Sequence, residues 1–150
     1  MFLVTNTQMM IEALNSGIAA CIPALNYRTD EELRNAIKEI REKTNSTALG
    51  INLIVNKSNI KLKKQLQSCL DLEVDFIITS LGSPKEIIQK CKAKGIKVFC
   101  DVINLEMALK VQDLNADGII AVNNSAGGHL GKLSAKKIIN EFKDEINIPV

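Results

Sequence analysis

Short apolar segments alternate with longer segments of helical periodicity along the chain, and this alternation constrains the fold more than any other feature. The apolar segments are rich in Ile and Val and are continuously apolar rather than alternating with polar residues, which is typical of buried strands. Because such strands recur every 20 to 30 residues or so, roughly the length of one βαβ unit, the sequence predicts a series of right-handed βαβ units and a parallel sheet. The predicted strands cover residues 17–24, 48–55, 74–81, 96–102, 117–123 and 146–150.

The segments between these strands carry helix-start signals. Thr29 followed by Glu32 predicts a capping box at the start of one helix. Ser83, Pro84 and Glu86 predict a second N-cap, with proline at the first helical position and another capping box. The remaining helices are expected over residues 7–16, 61–72, 105–114 and 135–146.

Two folds fit this alternation, an open doubly wound sheet and a (β/α)8 TIM barrel. The barrel is favoured because polar residues stand at the expected strand ends, where a barrel gathers its active site: Asn52, Thr79, Ser80, Asp101 and Asn123. A barrel has eight strands and about 250 residues. We therefore predict an α/β fold that is an incomplete TIM barrel, with about five to six strands, and with the first strand and the last two units missing. Residues 1–150 are expected to form a single partial domain.

Composition argues against several classes of partner. The net charge is +2, the basic residues are scattered and only 3% of residues are aromatic, so neither nucleic acid nor a polyanion is expected as a partner. No apolar run approaches a membrane span, and the N-terminus lacks the features of a signal peptide. The cysteines lack CxxC spacing and predict buried free thiols in a reducing, cytoplasmic environment, with no metal site: Cys21, Cys69, Cys91 and Cys100.

The single histidine of the chain lies in the glycine-rich segment 123–131, "NNSAGGHLG", directly after an apolar strand. A Walker A loop is excluded because Ala126 and Leu133 occupy positions that require Gly and Ser or Thr. The glycine spacing also fails the dinucleotide-binding fingerprint. Two interpretations remain open from the residues alone. The glycines form a tight turn with a solvated His129, or the loop approaches a ligand and His129 transfers protons.

The segment "ADGIIAVNNSAGGHLG" resembles the "ADAVIAQGxEAGGHxG" signature of the nitronate monooxygenase family, formerly called 2-nitropropane dioxygenases. Members of that family are FMN-dependent TIM barrels, and the related flavin-type enoyl-ACP reductases share the signature. Other segments agree in order and spacing. "LGINLIV" resembles "FGVNLFV", and "GIKVFCDVINLEMALKVQDLNAD" resembles "GVKVIGTVTTVEEARALEAAGAD". The resemblance covers essentially the whole chain.

The resemblance implies a set of FMN-binding residues. Asn52 corresponds to an asparagine that contacts the flavin. Ser125, Gly127 and Gly128 correspond to the loop against the isoalloxazine ring and ribityl chain, where a bulky side chain would block the flavin. Met1 corresponds to the first-strand loop that flanks the ring. These positions are expected to bind the cofactor.

The resemblance also implies that His129 is catalytic and lies beside the nitro group of a small nitronate or nitroalkane substrate, with dioxygen as co-substrate. One departure concerns Val122, seven residues before His129, where the family often has Gln or Glu. One polar flavin contact is therefore missing or differently supplied. A second departure concerns the FMN phosphate, because barrels bind it on loops after strands seven and eight, which are not expected in this chain.

Three functions follow as alternatives. The first is an FMN-dependent oxidoreductase that oxidises alkyl nitronates with dioxygen. The second is a flavin-dependent enoyl-ACP reductase using NAD(P)H, which the near-neutral charge disfavours because it offers no clear docking face for an acidic carrier protein. The third is a catalytically inactive truncated barrel fragment. The two exposed sheet edges of an incomplete barrel predict pairing with a second copy, as a homodimer, unless another segment covers them.

A few charged and aromatic residues near strand ends have simpler interpretations. Asp75 and Asp101 flank strands, and the preferred interpretation is that both are capping or turn residues rather than residues of the barrel mouth. Lys97 stands at a strand start and is expected to be structural. Tyr27 and Arg28 follow a strand on the active-site side, where contact with substrate is the less favoured alternative.

Overall fold

The computed structural model describes residues 2–45 and 48–150 and contains a parallel sheet of five strands in the order β1-β2-β3-β4-β5. The strand order follows the chain order, as in a barrel wall, whereas a doubly wound sheet reverses its order at a switch point. The predicted parallel α/β sheet is thereby confirmed, and each strand lies inside a predicted apolar segment. The strands are β1 Ala20–Pro23, β2 Leu49–Ile54, β3 Phe76–Ser80, β4 Lys97–Val102 and β5 Gly118–Ala121.

The prediction of a further strand over 146–150 is wrong for the structure described. This segment lies alongside β5, and the Pro149 carbonyl accepts a hydrogen bond from the Ile119 amide at 2.8 Å. It has no strand conformation of its own. One physical reason is that a ladder requires repeated bonds in both directions, and Pro149 has no N–H to donate.

Helices follow the strands in the expected alternation, and neighbouring helices contact one another along the sheet. A short 3-10 turn, Ala24–Asn26, follows β1. Among the described residues, no helix combines the length and apolarity needed to cross a membrane. The helices are α1 Thr7–Asn15, α2 Asp30–Lys43, α3 Leu62–Asp71, α4 Lys85–Lys92, α5 Leu105–Asp113 and α6 Ala135–Phe142.

One of the two predicted capping boxes is present. Thr29 Oγ1 accepts a hydrogen bond from the Glu32 amide at 3.1 Å, and Glu32 Oε2 accepts one from the Thr29 amide at 3.4 Å. The predicted box at Ser83 is wrong, because α4 begins after Pro84 and no side chain caps it. Pro84 has near-helical angles and its carbonyl accepts the amide of Ile88 at 2.9 Å, so the helix starts too late for Ser83 to reach the free amides.

The two faces of the sheet differ in burial. One face packs against the helices, and its side chains are almost fully buried, as Ile51, Ile77 and Val98 illustrate. The opposite face, which we call the open face, carries Asn52 and Asp101, and both are only half-buried. Burial therefore alternates along each strand, although the continuously apolar segments are typical of strands buried on both sides.

Two aromatic rings cover the amino-terminal half of the open face. Phe76 and Phe99 meet edge to face, with ring centroids 5.8 Å apart and planes at 83°. A Cβ atom at Gly50 would lie 2.2 Å from the Phe76 ring, and one at Gly118 would lie 2.9 Å from the Phe99 ring. The glycines thus make room for the rings, and the carboxyl-terminal half of this face stays accessible.

The cysteines are free, as predicted. Burial raises the pKa of the Cys21 and Cys91 thiols to about 12 and also raises the pKa of Cys69 and Cys100. The thiolate is the reactive form of cysteine, so these side chains are packing residues at neutral pH.

Candidate functional site

A hydrogen-bonded chain of three side chains crosses the carboxyl-terminal ends of β2, β3 and β4. Asn52 Nδ2 donates to Ser80 Oγ at 2.8 Å, and Ser80 Oγ donates to Asp101 Oδ2 at 2.5 Å. Asn52 Nδ2 also donates to the Ile78 carbonyl at 3.3 Å. Because Ser80 gives its single proton to the carboxylate, it accepts from the amide nitrogen, and the Asn52 carbonyl oxygen remains available as an acceptor.

The sheet register explains which predicted strand-end residues meet. Ile54 of β2 pairs with Ser80, and Thr79 pairs with Cys100 of β4. Since side chains alternate between faces, Ser80 lies on the open face and Thr79 on the helix face, where Thr79 is 3% exposed. Asn52, Ser80 and Asp101 thus come together, and Thr79 does not join them.

Asp101 lies within β4, so its interpretation as a capping or turn residue was wrong. Burial raises the pKa of the Asp101 carboxyl above its ordinary value, while the Ser80 hydrogen bond and the positive charge of His129 act in the opposite direction. β5 pairs with β4, with Val102 beside Ala121, so the loop after β5 begins next to the end of β4. The sequence contained a signal for this group, namely polar residues at successive strand ends, but not the register that joins them.

The loop that carries the histidine is closed at its base. The Asn124 amide donates to the Leu133 carbonyl at 2.8 Å, and the Gly131 amide donates to the Asn123 carbonyl at 3.0 Å. Asn123 Oδ1 accepts the Ser125 amide at 2.7 Å, which shapes the first turn. The tip of the loop, residues 125–130, is largely exposed beyond this base.

The three glycines of the loop have different roles. A Cβ atom at Gly131 would lie 2.1 Å from the Val122 carbonyl oxygen, so glycine is required where the loop returns to the end of β5. A Cβ atom at Gly127 or Gly128 would meet nothing within 4 Å. The packing of the described chain therefore does not require glycine at those two positions, and the space beside them is free for a ligand.

His129 is exposed at the loop tip and forms no hydrogen bond within the described residues. Ser125 is also exposed, and its hydroxyl lies 3.4 Å from Asn124 Oδ1. Met1 lies outside the described residues, but the segment after it is attached to the turn that follows β1. There Asn26 Oδ1 accepts the Leu3 amide at 2.9 Å.

Tyr27 and Arg28 line a separate cleft of about 240 Å³ between the start of α2 and α3. The Tyr27 hydroxyl lies 3.3 Å from Thr7 Oγ1, and burial raises the pKa of this phenol. The Arg28 carbonyl accepts a hydrogen bond from Lys61 Nζ at 2.6 Å. These residues have local partners and do not belong to the group on the open face. In the described part of the chain, no group of three or more His, Cys, Asp or Glu side chains is placed to bind a metal ion.

Comparison with known sequences adds a family to this geometry. Residues 11–150 match the family model described as nitronate monooxygenase. A probable nitronate monooxygenase of Staphylococcus saprophyticus is 27% identical over 61% of this chain and 30% of that protein. A (3aS,4S,5R,7aS)-5-hydroxy-7a-methyl-1-oxo-octahydro-1H-indene-4-carboxyl-CoA dehydrogenase of Rhodococcus jostii is also 27% identical, over 81% of this chain and 34% of that protein. The chain thus spans about a third of the length of these relatives.

Solved structures agree on the architecture. FabK from Thermotoga maritima superposes with a TM-score of 0.88 and 26% identity, over 97% of this chain and 45% of that one. Nitroalkane oxidase from Streptomyces ansochromogenes superposes with a TM-score of 0.84 and 18% identity, over 96% of this chain and 53% of that one. Both are TIM barrels, and the chain matches about half of each. The predicted incomplete barrel is confirmed.

Proposed function

This chain belongs to the nitronate monooxygenase family. We propose that it is part of an FMN-dependent oxidoreductase that oxidises alkyl nitronates with dioxygen to an aldehyde or ketone and nitrite. Family membership supports the oxidoreductase class. The observation that carries the finer proposal is the position of His129, exposed on a glycine loop at the end of the sheet where Asn52, Ser80 and Asp101 meet.

The residues present fit the ring and ribityl part of a flavin. Gly127 and Gly128 leave free volume at the loop, and the Asn52 carbonyl oxygen is an available acceptor on the open face. Ser125 adds an exposed hydroxyl. When bound, FMN supplies the two-electron redox chemistry and the reaction with dioxygen. The described residues form five strands, and the loops after strands seven and eight, where barrels frequently bind a phosphate, are not among them.

His129 is suited to the proton-transfer role in this proposal. An imidazole changes its charge near neutral pH, and this one has no competing hydrogen bond within the described chain. When a nitroalkane is supplied, the neutral ring accepts the proton on the carbon next to the nitro group, and the charged ring attracts the nitronate that forms and is then oxidised.

A second candidate is a flavin-dependent enoyl-ACP reductase using NAD(P)H. The observation that favours it is the Rhodococcus jostii relative, whose name specifies a CoA derivative, so a thioester substrate is compatible with a similar sequence. The third candidate, a catalytically inactive fragment, predicts that the chain takes up no flavin.

The deciding experiment combines flavin loading with two assays on the purified chain. We expect a yellow protein that consumes dioxygen and releases nitrite with an alkyl nitronate. NADH oxidation stimulated by an enoyl thioester, without nitronate turnover, would identify the reductase instead. A colourless protein that FMN does not load would identify the inactive fragment.

Replacing His129→Ala tests the residue itself. We expect turnover of a nitroalkane, which must first lose its carbon-bound proton, to fall by about a hundredfold or more while the flavin stays bound, because a positioned acid–base group contributes roughly 10²–10⁴-fold. Lys132→Ala is the matched control, since Lys132 is an exposed residue of the same connection with no side-chain partner among the described residues. Full activity in His129→Ala would exclude the catalytic role.

A further inference from the structure

Asp101 differs from Asp75 and Asp117, the carboxylates just before β3 and β5, in the partners that its oxygens have. Asp75 pairs with Arg41 at 2.9 Å, and Asp117 pairs with Lys97 at 2.8 Å. Within residues 2–45 and 48–150, Asp101 forms no ion pair with Lys or Arg. A half-buried carboxylate without a cation is costly to keep, so its retention on the open face calls for a functional explanation.

The hydrogen-bonded chain holds this carboxylate in one orientation. Ser80 Oγ donates to Asp101 Oδ2, and Asn52 Nδ2 in turn fixes the serine hydroxyl. Oδ2 is thereby engaged, while Oδ1 remains an acceptor without a hydrogen bond inside the described chain. Asp101 is therefore held in one orientation with Oδ1 able to accept a further hydrogen bond, and it does not form a stabilising ion pair with Lys or Arg.

The groups around Asp101 leave one candidate donor. From β3 it accepts a hydrogen bond from the Ser80 hydroxyl, while the thiols of Cys21 on β1 and of Cys100 on the helix face of β4 are kept protonated by burial and bring no charge. The loop after β5 begins beside the end of β4, since these two strands are paired, and the charge it brings to Asp101 is that of His129. A protonated imidazole is therefore the cation available to this carboxylate.

We propose that Asp101 is a positioning residue for His129, with Oδ1 accepting a ring N–H of the imidazole as the loop tip settles over the open face. The carboxylate then selects one ring tautomer, directs the other nitrogen to the substrate and stabilises the imidazolium after proton transfer. Only a proton moves in this step, from the carbon of a nitroalkane to the outward-facing ring nitrogen, and the nitronate remains. The inference rests on the proposed function insofar as His129 is its acid–base group.

The single histidine makes a test possible without flavin or turnover. In the ¹³C-labelled chain, the ring signals of His129 stand alone in the spectrum and are followed across pH 3 to 9 or so, a range that spans carboxyl and imidazole titration. We expect these signals to register the ionisation of Asp101 as a separate inflection at acidic pH. This inflection should disappear in Asp101→Asn. It should move to higher pH in Ser80→Ala, because the hydrogen bond from Ser80 lowers the pKa of Asp101 and this substitution removes it.

Asp113→Asn is the matched control, because Asp113 is an exposed carboxylate on α5, the helix that follows β4, and forms no ion pair among the described residues. Its His129 curve should match that of the unmodified chain. Identical curves for the unmodified chain and Asp101→Asn would overturn the proposal. If Asp101→Asn does not fold, the shifted inflection in Ser80→Ala carries the test, and an unshifted one overturns the proposal.

Turnover of the FMN-loaded protein separates this inference from the proposed function. We expect Asp101→Asn to lower kcat roughly tenfold or more with a smaller change in KM, since the lost group acts through His129. Normal kcat in Asp101→Asn alongside an inactive His129→Ala would overturn the positioning role and leave the function intact. If the His129 signals register the ionisation of Asp101 but neither the unmodified chain nor any variant turns over nitronate, the positioning role stands and the proposed function is overturned.

Discussion

The carboxylates at the two ends of the sheet differ in the partners that their oxygens have within the fold. At the amino-terminal end, Asp75 Oδ2 accepts the Leu49 amide at 2.7 Å and pairs with Arg41 Nη1 at 2.9 Å. The carboxylate therefore joins the end of α2 to the starts of β2 and β3. Each of its interactions is made inside the fold, as expected of a residue that stabilises a barrel at the end away from the active site.

Asp117 makes the equivalent interactions at the starts of β4 and β5. Its Oδ2 accepts the Val98 amide at 2.9 Å, and its Oδ1 pairs with Lys97 Nζ at 2.8 Å. Lys97 is thus structural, as its position at a strand start predicted. The similar segments "VDFII" and "ADGII" place each aspartate directly before its strand, where it satisfies the neighbouring strand's first amides.

At the carboxyl-terminal end, Asp101 has a hydroxyl in place of a cation, and acceptor oxygens of Asp101 and Asn52 remain free within the described chain. Interactions that are complete inside the fold stabilise it, whereas incomplete ones are available to a ligand. We therefore infer that one end of the sheet stabilises the fold and that the other end binds a ligand, and three sets of variants test this difference.

The largest loss of stability is expected at the amino-terminal end of the sheet, where the carboxylate oxygens have partners inside the fold. Asp75→Ala removes a charged hydrogen bond and leaves the Leu49 amide and Arg41 without this partner, so we expect a loss of about 2–4 kcal/mol in the free energy of unfolding. Urea denaturation at pH 7 measures it. Asp71→Ala is the control, because Asp71 pairs with Arg34 at 3.0 Å at a more exposed position, where solvent screens the interaction and its loss should cost less stability. Equal losses in the two variants would contradict the structural role of Asp75.

The glycine loop offers a comparison inside the binding end itself. Gly131→Ala places a methyl group against the Val122 carbonyl, so we expect a loss of about 1–3 kcal/mol in the free energy of unfolding. Gly128→Ala meets open space and should change stability by less than about 0.5 kcal/mol while weakening FMN binding. Denaturation and flavin titration of both variants separate the two roles, and a Gly128→Ala protein with unchanged flavin affinity would argue against loop–flavin contact.

A small effect of the opposite sign is expected from Asp101. Because the pKa of Asp101 is raised in the folded chain, the carboxyl supports folding below its unfolded pKa, and this support is lost as pH rises through the folded pKa. At pH 7 its charge therefore opposes folding. We expect Asp101→Asn to raise the free energy of unfolding there by less than about 1 kcal/mol, with no gain near pH 3. Denaturation at the two pH values checks this, and a clear loss at pH 7 would make Asp101 a stabilising residue like Asp75.

Local patterns in the sequence were sufficient for the elements and for one cap. The capping box at Thr29 formed because the residues that make it are three apart and need no tertiary partner. The expected cap at Ser83 failed because the connection from β3 brings Pro84 into near-helical geometry before α4 begins. The segment 146–150 resembles a strand by composition, yet no such strand is present in the described chain, since pairing rather than composition makes a strand.

The sequence by itself determined the alternation of strands and helices, the parallel sheet and the exposed histidine loop at a strand end, because these depend on periodicity and on neighbours close in the chain. Only the tertiary structure decided that Asn52, Ser80 and Asp101 form one hydrogen-bonded chain and that Asp75 and Asp101 have opposite roles. These side chains are more than twenty residues apart along the chain. What unites or separates them is the sheet register and the face on which each side chain lies, and both depend on pairing between distant segments.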